Sequence, residues 1–240
     1  MNYVIIIAGG VGSRLGATVP KQFVEVLGKP VIAYTMEHFQ NHPEIDAIEL
    51  VCVDGYQQHL KDIAEKYGIS KVLKIVKGGS EYERSIMNGV AGLEGIAKPE
   101  DVVMIHWAAS PFLSNEIITD NIRVCKEKGN AITASYSYLL YGSNDGDCAR
   151  KAINRESFMT LSAPQSFRYE NIVNLYRLVE EKHLFETVAE HHTTVFMAEL
   201  GIPLYFSKGS HTNIKITTKE DLDLFLGYLL AKEYKEEHSL

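Results

Sequence analysis

Tyr3-Val-Ile-Ile-Ile-Ala8-Gly9-Gly10-Val11-Gly12-Ser13-Arg14-Leu15-Gly16, running on through Ala17-Thr18-Val19-Pro20 to Lys21-Gln22, decides how this 240-residue chain is read. Its β-branched run has the character of a strand buried on both faces. The strand breaks directly into glycines, where a backbone can approach a ligand closely and turn its N–H groups toward it. Two cations, Arg14 and Lys21, follow in and just after the loop. Buried strand, glycine loop and then cations is an arrangement suited to a nucleoside triphosphate.

Working outward, the composition is that of a globular protein, with 45% hydrophobic and 23% charged residues. A formal net charge of -7 speaks against general binding to nucleic acid or a membrane surface. The apolar run at the N-terminus is about six residues, so it is expected to be a strand and not a leader, and no stretch approaches the roughly 20 residues of a membrane span. Cys52, Cys125 and Cys148 are odd in number and widely spaced, which fits reduced thiols in a cytoplasmic protein.

Further along, the pattern predicts helices over 30–41, 57–67, 80–93 and 114–128, alternating with strands at 47–53, 71–76, 101–106 and 131–137. Strands and helices alternating at this spacing imply βαβ units and a mostly parallel sheet. The whole chain, 1–240, is expected to be one such domain. Ligands of these sheets sit beyond the carboxyl ends of the strands. Three loops would meet there: the first glycine loop, Gly78-Gly79, and Trp107-Ala108-Ala109-Ser110-Pro111-Phe112. From 138 to 158 the pattern weakens around a hairpin-like turn, read as a projecting β-arm. Helices near 169–182 and 187–200 follow, then a strand at 203–207, a short extended piece at 213–217 and a last helix at 219–234.

The glycine loop fails both common phosphate-loop texts. After Gly10-Val11-Gly12 the third glycine of the dinucleotide fingerprint falls on Leu15, and no Gly-Lys pair followed by Ser or Thr occurs in the loop. The loop does resemble another signature. Ala8-Gly9-Gly10-x-Gly12-x-Arg14-x-Gly16 with Pro20-Lys21-Gln22 is similar to the nucleotidyltransferases that place CMP on a polyol phosphate, the 2-C-methyl-D-erythritol 4-phosphate and ribitol 5-phosphate cytidylyltransferases. The resemblance continues through Gly78-Gly79, Ser85 to Gly89, Ile105-His106, Ala108-Ala109, Ala163-Pro164-Gln165 and Asn213 to Thr218, in order along nearly the whole chain.

The resemblance implies an α/β, mostly parallel, Rossmann-like sheet of the nucleotidyltransferase type with a projecting β-arm. It also implies CTP and a polyol phosphate as substrates, Mg²⁺ held mainly by the CTP phosphates, and a homodimer joined through the arm at 138–158. The acceptor phosphate would attack the α-phosphorus in line and expel pyrophosphate. By carry-over, Arg14 and Lys21 are the catalytic cations. Ala8, Gly9, Gly10, Val11, Gly12, Ser13, Gly79, Ser85 and Ala108 would surround the nucleotide. Lys215 and Arg155 match positions that grip the acceptor's phosphate.

Three positions depart from the family pattern, all on the acceptor side. The usual His-Asp-Ala-Ala-Arg-Pro reads His106-Trp107-Ala108-Ala109-Ser110-Pro111, and the usual Thr-Pro-Gln reads Ala163-Pro164-Gln165. In the family the Asp is associated with Mg²⁺, and the Arg and Thr with the acceptor. An indole cannot ligate Mg²⁺, so the metal ligands are left unassigned. Trp107, Ser110 and Ala163 join Arg155 and Lys215 as acceptor-side candidates. Losing a carboxylate, a cation and a hydroxyl together points to a ribitol, glycerol or related alditol phosphate, as used for capsule or teichoic-type polymers. The isoprenoid-pathway enzyme and a non-catalytic nucleotide-binding protein are the alternatives.

Overall fold

The computed structural model describes residues 1–10 and 19–238. Strand β1 (Asn2–Ala8) is followed, after a 3-10 turn at Lys21–Phe23, by the small hairpin β2 (Glu25–Val26) and β3 (Lys29–Pro30). Then come α1 (Val31–Asn41), β4 (Ala47–Cys52), α2 (Gln57–Lys66), β5 (Val72–Lys77), α3 (Tyr82–Gly92), β6 (Val102–Trp107), α4 (Asn115–Lys128) and β7 (Asn130–Tyr136). The C-terminal part holds β8 (Tyr141–Gly142), β9 (Ala152–Ile153), β10 (Met159–Arg168), α5 (Tyr169–Glu181), α6 (Leu184–Thr187), α7 (Thr193–Glu199), β11 (Phe206–Lys208) and α8 (Lys219–His238).

Seven strands form one sheet in the order β11-β7-β10-β6-β1-β4-β5. β1 lies in the middle, parallel to β6 on one side and β4 on the other, and all seven of its residues are buried. Alternate side chains enter opposite faces, as a period of two requires. Val4, Ile6 and Ala8 pack into a core with Ile32, Met36, Leu60 and Ile118. Tyr3, Ile5 and Ile7 pack into another with Ile86, Val90, Leu175 and Phe196. Helices on both faces are what make an unbroken apolar strand stable in the centre.

Helix ends fall where their chemistry places them. The Ser114 hydroxyl accepts from the N–H of Ile117 at the start of α4, and Gly129, at φ +90, closes the same helix. Thr218 and Asp221 form a capping box at α8: the Asp221 carboxylate accepts from the N–H groups of Thr217 and Thr218 at 2.7 and 2.9 Å.

The sheet is mostly parallel, as expected, with β10 as its antiparallel member between β6 and β7. The sequence pattern did not predict β10 as a strand because Pro164 sits inside it. The register against β7 shifts between Leu161 and Gln165, the irregularity in which a proline can be accommodated. The helix expected over 187–200 is instead two short helices, α6 and α7. Buried Glu83, distant in sequence, accepts from the N–H of Thr193 at 2.8 Å and so fixes the start of α7. The last strand occupies 206–208 and not 203–207, and the piece at 213–217 lies outside the sheet. The segment at 138–158 carries the β8–β9 hairpin and exposes Tyr138, Leu139, Leu140 and Phe158.

Candidate active site

At the carboxyl ends of β1, β4, β5 and β6 the loops enclose a cavity of about 580 Å³. Its lining includes Gly9 and Gly10 after β1, Asp54 after β4, and Gly78 and Gly79 after β5. Tyr82 and Ser85 come from α3, Trp107 and Ala108 from the end of β6, and Lys21, Lys215 and Thr217 from elsewhere. The described parts of the three loops expected to converge, with only Gly9 and Gly10 from the first, do so.

The nucleotide side is held by hydrogen bonds at each strand end. Gly78 N–H donates to Cys52 O at 2.8 Å, Val53 N–H to Ala8 O at 3.1 Å, and Ala108 N–H to Ile7 O at 3.1 Å. Ser85, nearly fully buried, braces the loop between β5 and α3. Its hydroxyl accepts from the N–H of Gly79 and donates to Glu81 O, both at 3.0 Å. A Cβ on Gly9 would come within 2.8 Å of that hydroxyl, and one on Gly79 within 2.4 Å of Arg84 Cβ. Both glycines therefore let their loops pack closely against the first turn of α3. Ala8 lies behind the cavity wall, and Ala108 lines it. Val11, Gly12, Ser13 and Arg14 lie outside the described residues.

Gln22, the last residue of the Pro20-Lys21-Gln22 motif, has a structural role that the sequence does not show. Buried, it donates through Nε2 to Ala8 O at 2.8 Å and to Gly10 O at 3.0 Å, pinning the start of the glycine loop to the 3-10 turn. A glutamine beside a lysine looks like surface in a sequence, and burial alone reveals this use. Next to it, Lys21 Nζ donates to Ile216 O at 2.6 Å, and the N–H of Ile216 donates to Ala109 O at 2.8 Å. The segment carrying Lys215 is thereby stitched to the β6 loop, so both lysines face one cavity.

On the opposite wall, Trp107 Nε1 donates to Tyr82 Oη at 2.6 Å. Lys215 Nζ lies 4.7 Å from the Trp107 ring centroid and 5.2 Å from that of Tyr82, the range of a cation–π contact. Ser110, Ala163 and Arg155 do not line this cavity. Ser110 is buried, its carbonyl accepting from His106 Nε2 at 3.0 Å. Ala163 is buried too, its carbonyl accepting from Asn213 Nδ2 at 2.6 Å, and so supports the Lys215 segment from behind. Arg155 sits on the exposed arm and donates to Tyr138 O at 3.0 Å.

The electrostatics are those of an anion site. Burial pushes His106 down to about 4, and since its Nε2 must donate to a carbonyl, the ring is a neutral brace for the loop. Burial, with Lys215 adding to it, also lowers His192, whose ring lies 5.5 Å from Tyr82. The cavity's carboxylates are engaged: Asp54 with Lys77 at 2.8 Å, Glu81 with His191 at 3.0 Å. Among the described residues no three His, Cys, Asp or Glu side chains gather to hold a metal. Mg²⁺ commonly takes only one or two carboxylates together with substrate phosphates, and the carboxylates in the described lining are Asp54 and Glu81.

Residues 2–230 match the family model described as 2-C-methyl-D-erythritol 4-phosphate cytidylyltransferase (IspD). The chain belongs to this family. Membership makes it an enzyme of the cytidylyltransferase class. It is 37% identical over 230 residues to a ribitol-5-phosphate cytidylyltransferase of Lacticaseibacillus paracasei, covering 95% of this chain and 98% of that one. It is also 37% identical over 224 residues to a 2-C-methyl-D-erythritol 4-phosphate cytidylyltransferase of Clostridium botulinum, covering 93% and 95%. Among solved structures, 4-diphosphocytidyl-2C-methyl-D-erythritol synthase from Anaerococcus prevotii superposes with a TM-score of 0.78 at 27% identity, covering 96% of both chains. Family relatives thus carry both acceptor names, and the acceptor wall has to be read from its own chemistry.

Proposed function

We propose that the protein transfers CMP from CTP to ribitol 5-phosphate or a close alditol phosphate such as glycerol phosphate, releasing pyrophosphate and a CDP-polyol. The observation that carries this reading is the wall facing the glycine loops, where Lys215 lies against Trp107 and Tyr82. One cation serves the acceptor's phosphate, and uncharged aromatic faces with hydroxyl chemistry serve a carbon chain bearing hydroxyls.

A phosphate monoester has its second pKa near roughly 6, so it is a dianionic nucleophile at neutral pH. No general base is required. The protein's task is alignment, and stabilisation of the charge that builds on the α-phosphorus and the leaving pyrophosphate. The N–H groups of the loop beginning at Gly9 and Gly10 would receive the triphosphate and the Gly79 loop would pack against the nucleotide, with Lys21 on the phosphate oxygens and Lys215 on the acceptor. Arg14 is proposed as the second triphosphate cation. Magnesium would arrive as the counter-ion of the CTP triphosphate.

The CDP-polyol would feed capsule or teichoic-type polymer synthesis from the cytoplasm; no described helix is long and apolar enough to cross a membrane. A homodimer built through the exposed apolar arm at 138–158 completes the proposal, with Arg155 reaching the partner's acceptor.

The test is pyrophosphate release with CTP and a panel of ribitol 5-phosphate, glycerol phosphate and 2-C-methyl-D-erythritol 4-phosphate. Preferred use of an alditol phosphate is expected. Efficient turnover of methylerythritol phosphate alone would sink the reading in favour of the isoprenoid enzyme.

A further inference from the structure

Tyr82 stands at the first turn of α3 and has no part in the nucleotide loops, yet it lines the same cavity. Three separate segments meet at its ring: Trp107 from β6, Lys215 from the segment before α8, and His192 from the turn before α7. The indole of Trp107 has a single N–H, and it is spent on Tyr82 Oη at 2.6 Å. The phenol oxygen is thus already an acceptor, while its own O–H has no acceptor among the hydrogen bonds of the described residues. Accepting a hydrogen bond strengthens a hydroxyl as a donor. Burial foremost, with Glu83 adding to it, raises the Tyr82 pKa, so the phenol keeps its proton.

We propose that Tyr82 determines acceptor specificity, its O–H donating to a hydroxyl on the acceptor's carbon chain while the Trp107 face packs against the chain's C–H groups. This rests on the polyol-phosphate reading and deepens it. Lys215 takes the phosphate, and the Trp107–Tyr82 pair recognises what is attached to it. A site that hydrogen-bonds a substrate hydroxyl discriminates strongly against acceptors that leave its polar group unpaired, which a purely apolar wall cannot do. The pair also fixes the ring planes against which Lys215 rests, so acceptor chain and phosphate are registered by one unit.

Tyr82→Phe keeps the ring and the contact with Lys215 and removes the donor. Steady-state kinetics with the best acceptor should show its KM raised about tenfold, with kcat nearly unchanged and the KM for CTP within twofold. Trp107→Phe should act in the same direction more weakly, and the double variant should be less than additive because the two side chains act as a pair. An acceptor KM that moves less than twofold in Tyr82→Phe, or a CTP KM that rises equally, overturns the proposal. The wild-type acceptor panel separates this failure from that of the parent reading. If methylerythritol phosphate alone is used, the ribitol- or glycerol-phosphate reading falls, and Tyr82→Phe measured with that acceptor still decides the role of Tyr82. If ribitol 5-phosphate is used and Tyr82→Phe is silent, Tyr82 alone loses its role. No turnover with any member removes both.

Discussion

Trp107 carries one hydrogen on its indole nitrogen and gives it to Tyr82, whereas an aspartate in its place would carry none and add a charge beside Lys215. Trp107→Asp is therefore expected to break the aromatic wall and offer a hard oxygen ligand to Mg²⁺. At fixed CTP, turnover should become more dependent on free Mg²⁺ and the KM for ribitol 5-phosphate should rise about tenfold, both read by pyrophosphate release. Lys21 is a different case, since its ammonium both faces the cavity and bonds Ile216 O at 2.6 Å. Lys21→Ala should lower kcat by about 10²–10³, by analogy with the ~2.7–4 kcal/mol lost with one oxyanion-hole donor. A fall below tenfold would move the transition-state charge elsewhere. Both residues stand out in the sequence, Lys21 through its motif and Trp107 through its break from one. The motif of Lys21 also names Gln22 but not its use, and nothing marks Tyr82, because no local pattern shows a glutamine as buried or a tyrosine as an indole's acceptor.

Helix α3 sets the distance between the glycine loop and the Gly78–Gly79 loop, because it presents Ser85 to both. It approaches the sheet closely at Gly89, where a Cβ would meet Ile5 Cγ2 at 2.6 Å and Val51 Cγ2 at 2.9 Å. These are tight contacts with branched strand side chains that are themselves packed. Gly89→Ala should lower stability by about 1–3 kcal/mol through overpacking and raise the KM for CTP by displacing Ser85, seen as a lower Tm and in initial-rate kinetics. An unchanged Tm would show that the helix can lift without cost. The alternation of strand and helix was legible in the sequence because periods of 2 and 3.6 repeat there. Strand β10 was not, since Pro164 masks it. Neither was the break between α6 and α7, which depends on Glu83 from another helix.

For the molecule as a whole, stability depends on pH through two buried carboxyls and a set of buried or partly buried imidazoles. Burial raises Glu49 and Glu83 to about 7, with Lys74 partly offsetting the shift at Glu49 and hydrogen bonds from Tyr176 and Thr193 at Glu83. Each folded carboxyl keeps a proton that the unfolded chain releases at 4.5, so its contribution is present below 4.5 and is lost as pH rises through about 7. Buried His106 has the opposite sign: its contribution is present above 6.5 and is lost as pH falls toward about 4. His38, His42 and His192, lowered chiefly by burial, share the sign of His106, so imidazoles offset the carboxyls on the acid side. Tm is expected to decline as pH rises from about 6.5 through about 7, where only the carboxyls still lose their contribution. Glu49→Gln should flatten much of that decline in thermal melts, whereas an unaltered profile would mean that Glu49 titrates normally. Sequence by itself determined the central strand, the βαβ frame and the family, because these follow from hydrophobic period and from contiguous glycine and cation motifs. Tertiary structure alone decided which side chains share the cavity: it joined Lys215, Trp107 and Tyr82 and placed Ser110 and Ala163 behind the wall. Those meetings depend on chain segments about 25 to more than 100 residues apart, and no local pattern records them.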